Sequence, residues 1–119
     1  MQEAHLEDFL VTFKRYSYSH LYKKRTSDKK DGLLLLYRED IFNLLEFSKV
    51  EMFQTDDWLL NRDNVGLVAK FSLKESPNTK FVISTTHLLF NPRRNDIRLG
   101  QVQILLAEIE RIAFIENTR

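Results

Sequence analysis

Val65-Gly66-Leu67-Val68-Ala69-Lys70-Phe71-Ser72-Leu73 decides how this chain folds. Val65, Leu67, Ala69, Phe71 and Leu73 alternate with Gly66, Val68, Lys70 and Ser72, the two-residue period of a strand. Glu75-Ser76-Pro77-Asn78 then supplies turn residues, and Lys80 to Thr86 reads as the returning strand of an antiparallel hairpin. Upstream, Phe42 to Phe53 is a long β-like stretch with imperfect alternation, which predicts a bulge or break near Ser48-Lys49. Arg38-Glu39-Asp40 is a polar turn, and Leu33-Leu34-Leu35-Leu36-Tyr37 before it fits a strand covered on both faces. Tyr16 to Tyr22 reads as a short aromatic strand, and Lys23 to Asp31 as a charged loop closed by Asp31-Gly32.

Helices are expected at both ends of this strand region. Leu6, Phe9, Leu10 and Phe13 fall at i, i+3, i+4 and i+7 on one helical face. Glu3, Glu7 and Asp8 sit where the positive end of the helix dipole favours acidic groups. Beyond Pro92, Asn95 or Asp96 can cap a final helix with an apolar stripe of Leu99, Val102, Leu106, Ile109 and Ala113, widened by Ile104, Leu105 and Ile112. Helix, several strands and helix make an α+β fold with a mostly antiparallel sheet. No internal repeat or linker interrupts it.

With 119 residues, the chain is long enough for one domain and too short for two. Hydrophobic residues at 43% and charged residues at 29% are ordinary globular values. A net charge of +1 gives no global attraction to nucleic acid, so any RNA contact must come from a local basic patch. The chain has no cysteine, which excludes disulfides and thiolate metal sites. No apolar run approaches the roughly 20 residues of a membrane span. Met1-Gln2-Glu3-Ala4-His5 opens without the basic and apolar regions of a signal peptide. A cytoplasmic protein is expected.

Several residues invite a chemical reading. Lys23, Lys24, Arg25, Lys29 and Lys30 form a dense basic cluster close to Tyr16, Tyr18 and Tyr22. Stacking beside phosphate contacts suits single-stranded RNA, but Asp28 and Asp31 dilute the cluster and favour a solvated loop. Asp56, Asp57 and Trp58 match no ligand spacing, and His5 and His20 have no partner at metal-ligand spacing.

Two stretches carry a family resemblance. Asn61-Arg62-Asp63-Asn64-Val65-Gly66-Leu67-Val68 is one. Thr86-His87-Leu88-Leu89-Phe90-Asn91-Pro92-Arg93-Arg94-Asn95-Asp96-Ile97-Arg98-Leu99 is the other. Tyr22-Lys23-Lys24-Arg25-Thr26 followed by Asp31-Gly32 is similar to a third block, in the same order. Together they resemble the angel branch of the deadenylase-like enzymes, in the endonuclease/exonuclease/phosphatase superfamily, whose relatives include nocturnin. The resemblance implies a two-sheet sandwich with flanking helices and a divalent-metal site, usually for magnesium, at one end of the sheets. It also implies hydrolysis at RNA 3′ ends, by 3′-to-5′ removal of adenylates or by opening 2′,3′-cyclic phosphates, with metal-assisted attack of water.

The same resemblance assigns roles. His87 matches the histidine placed at a strand end near the scissile phosphate. Asn64 matches the Asp-Asn-x-Gly block, where it serves a turn or the phosphate-side network. Asn91, Arg93 and Arg94 form a loop at the rim of the substrate groove, where arginines pair with phosphates. Lys23, Lys24 and Arg25 are the remaining candidates for RNA contact. The metal-binding glutamate of the family ends a Leu-Gln-Glu motif. In one register Met1-Gln2-Glu3 is that motif and Glu3 is the ligand. In the preferred register the motif ends just before Met1, because Glu3 to Tyr22 is short for the branch. The Gly-Asp-x-Asn and Ser-Asp-His motifs do not occur in these residues. Residues 1–119 are therefore expected to be a partial domain, lacking its C-terminal half and N-terminal strands and inactive alone. The alternative is a non-catalytic remnant that binds RNA or protein.

Overall fold

In chain order the elements are α1 (Glu3–Lys14), β1 (Tyr18–Lys24), β2 (Gly32–Arg38), β3 (Phe42–Glu51), β4 (Val65–Leu73), β5 (Lys80–His87) and α2 (Asn95–Phe114). The computed structural model describes residues 1–25, 30–51, 65–87 and 95–115, without the side chains of residues 3, 95, 97 and 98. β1 and β2 form a two-stranded antiparallel sheet, and β3, β4 and β5 a three-stranded antiparallel sheet with β4 in the middle.

The alternation in β4 sets the layering. Leu67, Ala69 and Phe71 point to one face, where they pack with Leu21, Leu33, Leu35, Tyr37, Phe42, Leu44 and Phe81 between the two sheets. Val68 points to the other face and packs with Val50, Val82, Leu105 and Ile112 beneath α2. The fold is thus a partial two-sheet sandwich with flanking helices. The β4–β5 hairpin is present, closed by Thr79 N–H to the Ser76 carbonyl and Leu73 N–H to the Thr79 carbonyl.

Four expectations need correction, and each has a physical reason. The irregularity in β3 falls between Leu44 and Glu46, not at Ser48-Lys49. Phe42 and Leu44 face the other sheet, while Val50, an even number of residues on, belongs to the core under α2. The extra residue between Leu44 and Glu46 switches the parity, so that one strand serves both cores.

The second correction concerns β1, which starts at Tyr18 and runs through Lys23 and Lys24. Ser17 adopts a positive φ of 64° and breaks the chain after α1. At the other end Lys23 and Lys24 pair with Leu33 and Gly32, so the ladder holds two residues that charge alone would assign to a loop. Gly32 is required by that pairing. A Cβ on it would lie 2.4 Å from the Lys23 carbonyl oxygen and 2.8 Å from the Lys24 Cα. Third, Leu33 to Leu36 are half-buried rather than covered on both faces.

The fourth correction is the orientation of α2. Asn95 and Asp96 both lie inside the helix, and the face against the sheet carries Gln101, Leu105 and Ile112. Leu99 and Leu106 of the expected stripe are 60% and 56% exposed, about a third of a turn away. Polar anchors explain the rotation. Lys70, only 6% exposed, donates from Nζ to the carbonyls of Ala113 (3.1 Å) and Ile115 (2.9 Å), and Ser48 hydrogen-bonds Glu108. A cation among the last carbonyls of a helix satisfies acceptors that have no intrahelical donor. Lys70→Met is expected to cost about 1–3 kcal/mol through two part-buried carbonyls losing their donor. A urea titration with the slope unchanged measures it.

α1 lies on β1, with Leu6, Leu10 and Phe13 half-buried and Phe9 exposed. The Phe13 ring meets Tyr18 edge-on at 6.0 Å. Among the described residues no helix is long and apolar enough to cross a membrane.

Candidate functional site

One end of the sandwich gathers the chemistry-bearing residues. There β1 finishes at Lys24, β2 begins at Gly32, β3 finishes at Glu51, β4 begins at Val65 and β5 finishes at His87. The N-terminal residues lie across this end. Gln2 bridges Asp31, and the Gly32 amide donates to the Met1 carbonyl at 2.7 Å. The chain then turns directly into α1, with Gln2 in the N-cap position and making no side-chain cap.

Three polar links fix the geometry. Lys23 Nζ lies 2.6 Å from Glu51 Oε1 and ties one sheet to the other. Arg25 Nε lies 2.7 Å from Asp31 Oδ1, and the Arg25 amide donates to the Asp31 carbonyl at 3.0 Å. Thr86 Oγ1 donates to the Val65 carbonyl at 2.9 Å, pinning the end of β5 beside the start of β4. His87 is paired in register with Val65, and its side chain is exposed. Met1, Gln2, Arg25, Lys30 and Asp31 line a cleft of about 430 Å³.

The Arg25 hydrogen bond holds the Asp31 carboxyl below its usual range. Burial opposes that effect, while the charge of Arg25, Asp31's own amide and the charge of His87 add to it. A carboxyl lowered on folding contributes stability above its ordinary pKa and loses it as pH falls through the lowered value. The ion pair is therefore intact at neutral pH and is released only in acid.

The sequence candidates fall unevenly on this geometry. His87 and Arg25 come to the same end of the sandwich. Lys23 is turned toward the other sheet and engaged by Glu51, and Lys24 is exposed on the opposite face of β1. Tyr18 packs on Phe13, and the Tyr22 hydroxyl donates to the Met1 carbonyl at 3.4 Å. Glu3 is the first residue of α1, directly after the bridged Gln2. Asn64, Asn91, Arg93 and Arg94 lie outside the described residues, as do Lys29 and the Asp56-Asp57-Trp58 stretch. Asp31 and Glu51 were not singled out as site residues by sequence. The signal for Asp31 was its place in the third family block, with Arg25 six residues before it.

Among the described residues no three His, Cys, Asp or Glu side chains come together as a metal-ligand group. Asp31, the carboxylate of the cleft, is already engaged by Arg25. These residues do not by themselves compose a divalent-cation site.

No family model matches the chain. It is 38% identical over 124 residues to human protein angel homolog 1, a match covering 98% of this chain and 18% of that protein. Among solved structures, it superposes on ANGEL2, a 2′,3′-cyclic phosphatase solved with adenosine-2′,3′-vanadate, with a TM-score of 0.90 and 39% identity. That superposition covers 100% of this chain and 34% of the ANGEL2 chain. An endonuclease/exonuclease/phosphatase from Bacteroides vulgatus superposes with a TM-score of 0.74 at 16% identity, over 94% of this chain and 44% of the other, and so shares the fold. The chain spans less than half the length of each of these proteins.

Proposed function

Because the chain belongs to the angel branch of the endonuclease/exonuclease/phosphatase superfamily and covers part of its domain, we propose that it serves a hydrolase of RNA 3′ ends whose substrate is a terminal 2′,3′-cyclic phosphate. The observation that carries this reading is the 39% identity, over the whole chain, to a 2′,3′-cyclic phosphatase. The cleft beside Arg25 and Lys30 supports it, because it offers cationic groups to a phosphate at the end of the sandwich where β5 finishes.

The chemistry asked of this site is modest. A water oxygen bonds to phosphorus, the ester bond to the ribose 2′ or 3′ oxygen breaks, and that oxygen takes up a proton. His87 is placed to hold a phosphoryl oxygen or move that proton. The guanidinium of Arg25 and the ammonium of Lys30 draw the phosphate into the cleft. A magnesium ion, when bound, supplies positive charge against the phosphoryl oxygen. In the register that makes Met1-Gln2-Glu3 the family motif, Glu3 is one of its ligands. Asn64, Asn91, Arg93 and Arg94 are proposed to complete the substrate rim, with Lys24 as a more distant phosphate contact. Because the chain spans about a third of the ANGEL2 chain, residues 1–119 alone are expected to give no turnover.

The test uses the longest product of the gene beside the 119-residue chain. Each is given an oligoribonucleotide ending in a 2′,3′-cyclic phosphate, and the same oligonucleotide ending in an adenylate tail with a free 3′ hydroxyl. The expected result is magnesium-dependent opening of the cyclic phosphate by the long form only. Shortening of the tail with the cyclic phosphate untouched would replace this reading with a deadenylase. Inertness of the long form toward both would overturn hydrolysis altogether.

A further inference from the structure

Lys23 reads from sequence as a contact for RNA, and the fold gives it another partner. Along β1 the two-residue period carries Leu21 into the core between the sheets and then aims Lys23, on the same face, at the mouth beyond it. Arg25, the next residue in that period, lines the cleft. Lys23 Nζ lies 2.6 Å from Glu51 Oε1, and the two side chains are 18% and 51% exposed. Glu51 stands opposite Val65 in the register, and Val65 stands opposite His87. Residues directly opposite share a face of the sheet. Glu51 and His87 therefore flank the buried Val65 with their backbones two strand spacings, about 10 Å, apart. The ion pair sits at the mouth that the cleft and the histidine also border. A carboxylate is out of place at an entrance for a polyanion, since it repels the substrate and occupies the nearest cation. Glu51 has no task in the proposed hydrolysis.

We propose that Glu51 is a stand-in for an RNA phosphate: in the free protein it neutralises Lys23, and a backbone phosphate of the bound strand takes that ammonium from it. Both anions offer oxygens for the same charge-assisted hydrogen bond. The exposures decide which group moves. Glu51 is half in water, so its carboxylate turns away at little cost, whereas Lys23 is mostly covered and keeps its place at the mouth. The bond is weak enough to exchange, since an ion pair with so exposed a partner holds by a factor of about 2 to 5. An RNA strand also reaches several cations at once, because Arg25 and Lys30 line the same end. Lysine suits the exchange better than arginine would. Its ammonium is a point charge on a flexible stem, and it re-aims without having to match a planar fork. Glu51 thus lowers the affinity for RNA and keeps the free cation from holding unrelated anions. The inference rests on the RNA reading of this end of the sandwich.

The test measures affinity in the longest gene product with magnesium withheld, so that nothing turns over. The probe is a short fluorescent oligouridylate ending in a 2′,3′-cyclic phosphate, read by anisotropy at one fixed salt concentration. Glu51→Gln is expected to bind it about 2- to 5-fold more tightly than wild type, the factor that the ion pair withholds. Lys23→Met is expected to bind more weakly. In the Lys23→Met background Glu51→Gln is expected to give less than half of its gain, because the two side chains act as a pair. Affinity of Glu51→Gln equal to or below wild type overturns the proposal. An equal gain with and without Lys23 also overturns it, since Glu51 would then act by plain repulsion. So does absence of binding by wild type and Glu51→Gln alike. A second readout needs no variant to fold. In the ¹³C-labelled protein the side-chain carboxyl resonance of Glu51 is expected to move when the oligouridylate binds, and a resonance that stays in place overturns the exchange. Failure of the cyclic-phosphate assay with the affinity pattern intact overturns hydrolysis alone. Opening of the cyclic phosphate by a protein whose Glu51→Gln variant gains no affinity overturns this inference alone.

Discussion

Replacing Phe71 with alanine is expected to destabilise the chain by about 3–5 kcal/mol, a large share of a small domain's stability. Phe71 is 2% exposed at the centre of β4. Its ring lies 5.0 Å from Tyr37, 5.7 Å from Phe81 and 6.2 Å from Phe42, joining both sheets through one side chain. Phe71 also borders an open cleft of about 220 Å³ lined by Tyr18, Leu35, Tyr37, Phe42 and Phe81. Phe71→Leu keeps much of the volume and is expected to lose less than half as much. Urea midpoints at a common slope give both values. A loss below about 1 kcal/mol for the alanine variant would mean that the two sheets are not one cooperative unit.

The second large effect is catalytic. In the longest gene product, His87→Ala is expected to lower kcat on the cyclic phosphate by about 100- to 10,000-fold, the usual worth of a positioned proton-transfer group. KM should move little, because the cations of the cleft, and not the imidazole, draw in the phosphate. Stability should stay within about 0.5 kcal/mol, since the side chain is exposed at a strand end. His87→Gln, which can still hold an oxygen but cannot shuttle a proton, separates the two tasks. Activity near wild type in His87→Gln with loss in His87→Ala assigns hydrogen bonding alone. Full activity in His87→Ala removes the residue from the mechanism.

Sequence periodicity found the parts whose environment repeats, and missed those decided by a distant partner. β4 was legible because both its faces are apolar neighbours of something, one the second sheet and the other α2. The bulge in β3 was expected from the broken alternation but misplaced, since nothing local says where between Leu44 and Val50 the strand must switch cores. The rotation of α2 was hidden for a related reason. Gln101 and Lys70 are buried polar residues, and hydropathy assigns such side chains to the surface. In the site, His87 stood out through its flanking residues and its place at a strand end. Asp31 did not, because a carboxylate among lysines reads as solvation until the hairpin brings Arg25 back beside it. Lys23 shows the reverse. It read as part of an exposed basic loop, and strand pairing turned it inward to Glu51.

The amine of Lys70 has one more consequence, for reagents and not for folding. An acylating reagent needs a lysine nitrogen with an open approach, and this nitrogen is spent on two carbonyls under the last turn of α2. Lys74 and Lys80, both exposed, should label at solvent speed, while Lys70 should label only when that turn lifts away. Its labelling rate is then a clock for the breathing of the helix end, readable by mass spectrometry peptide by peptide.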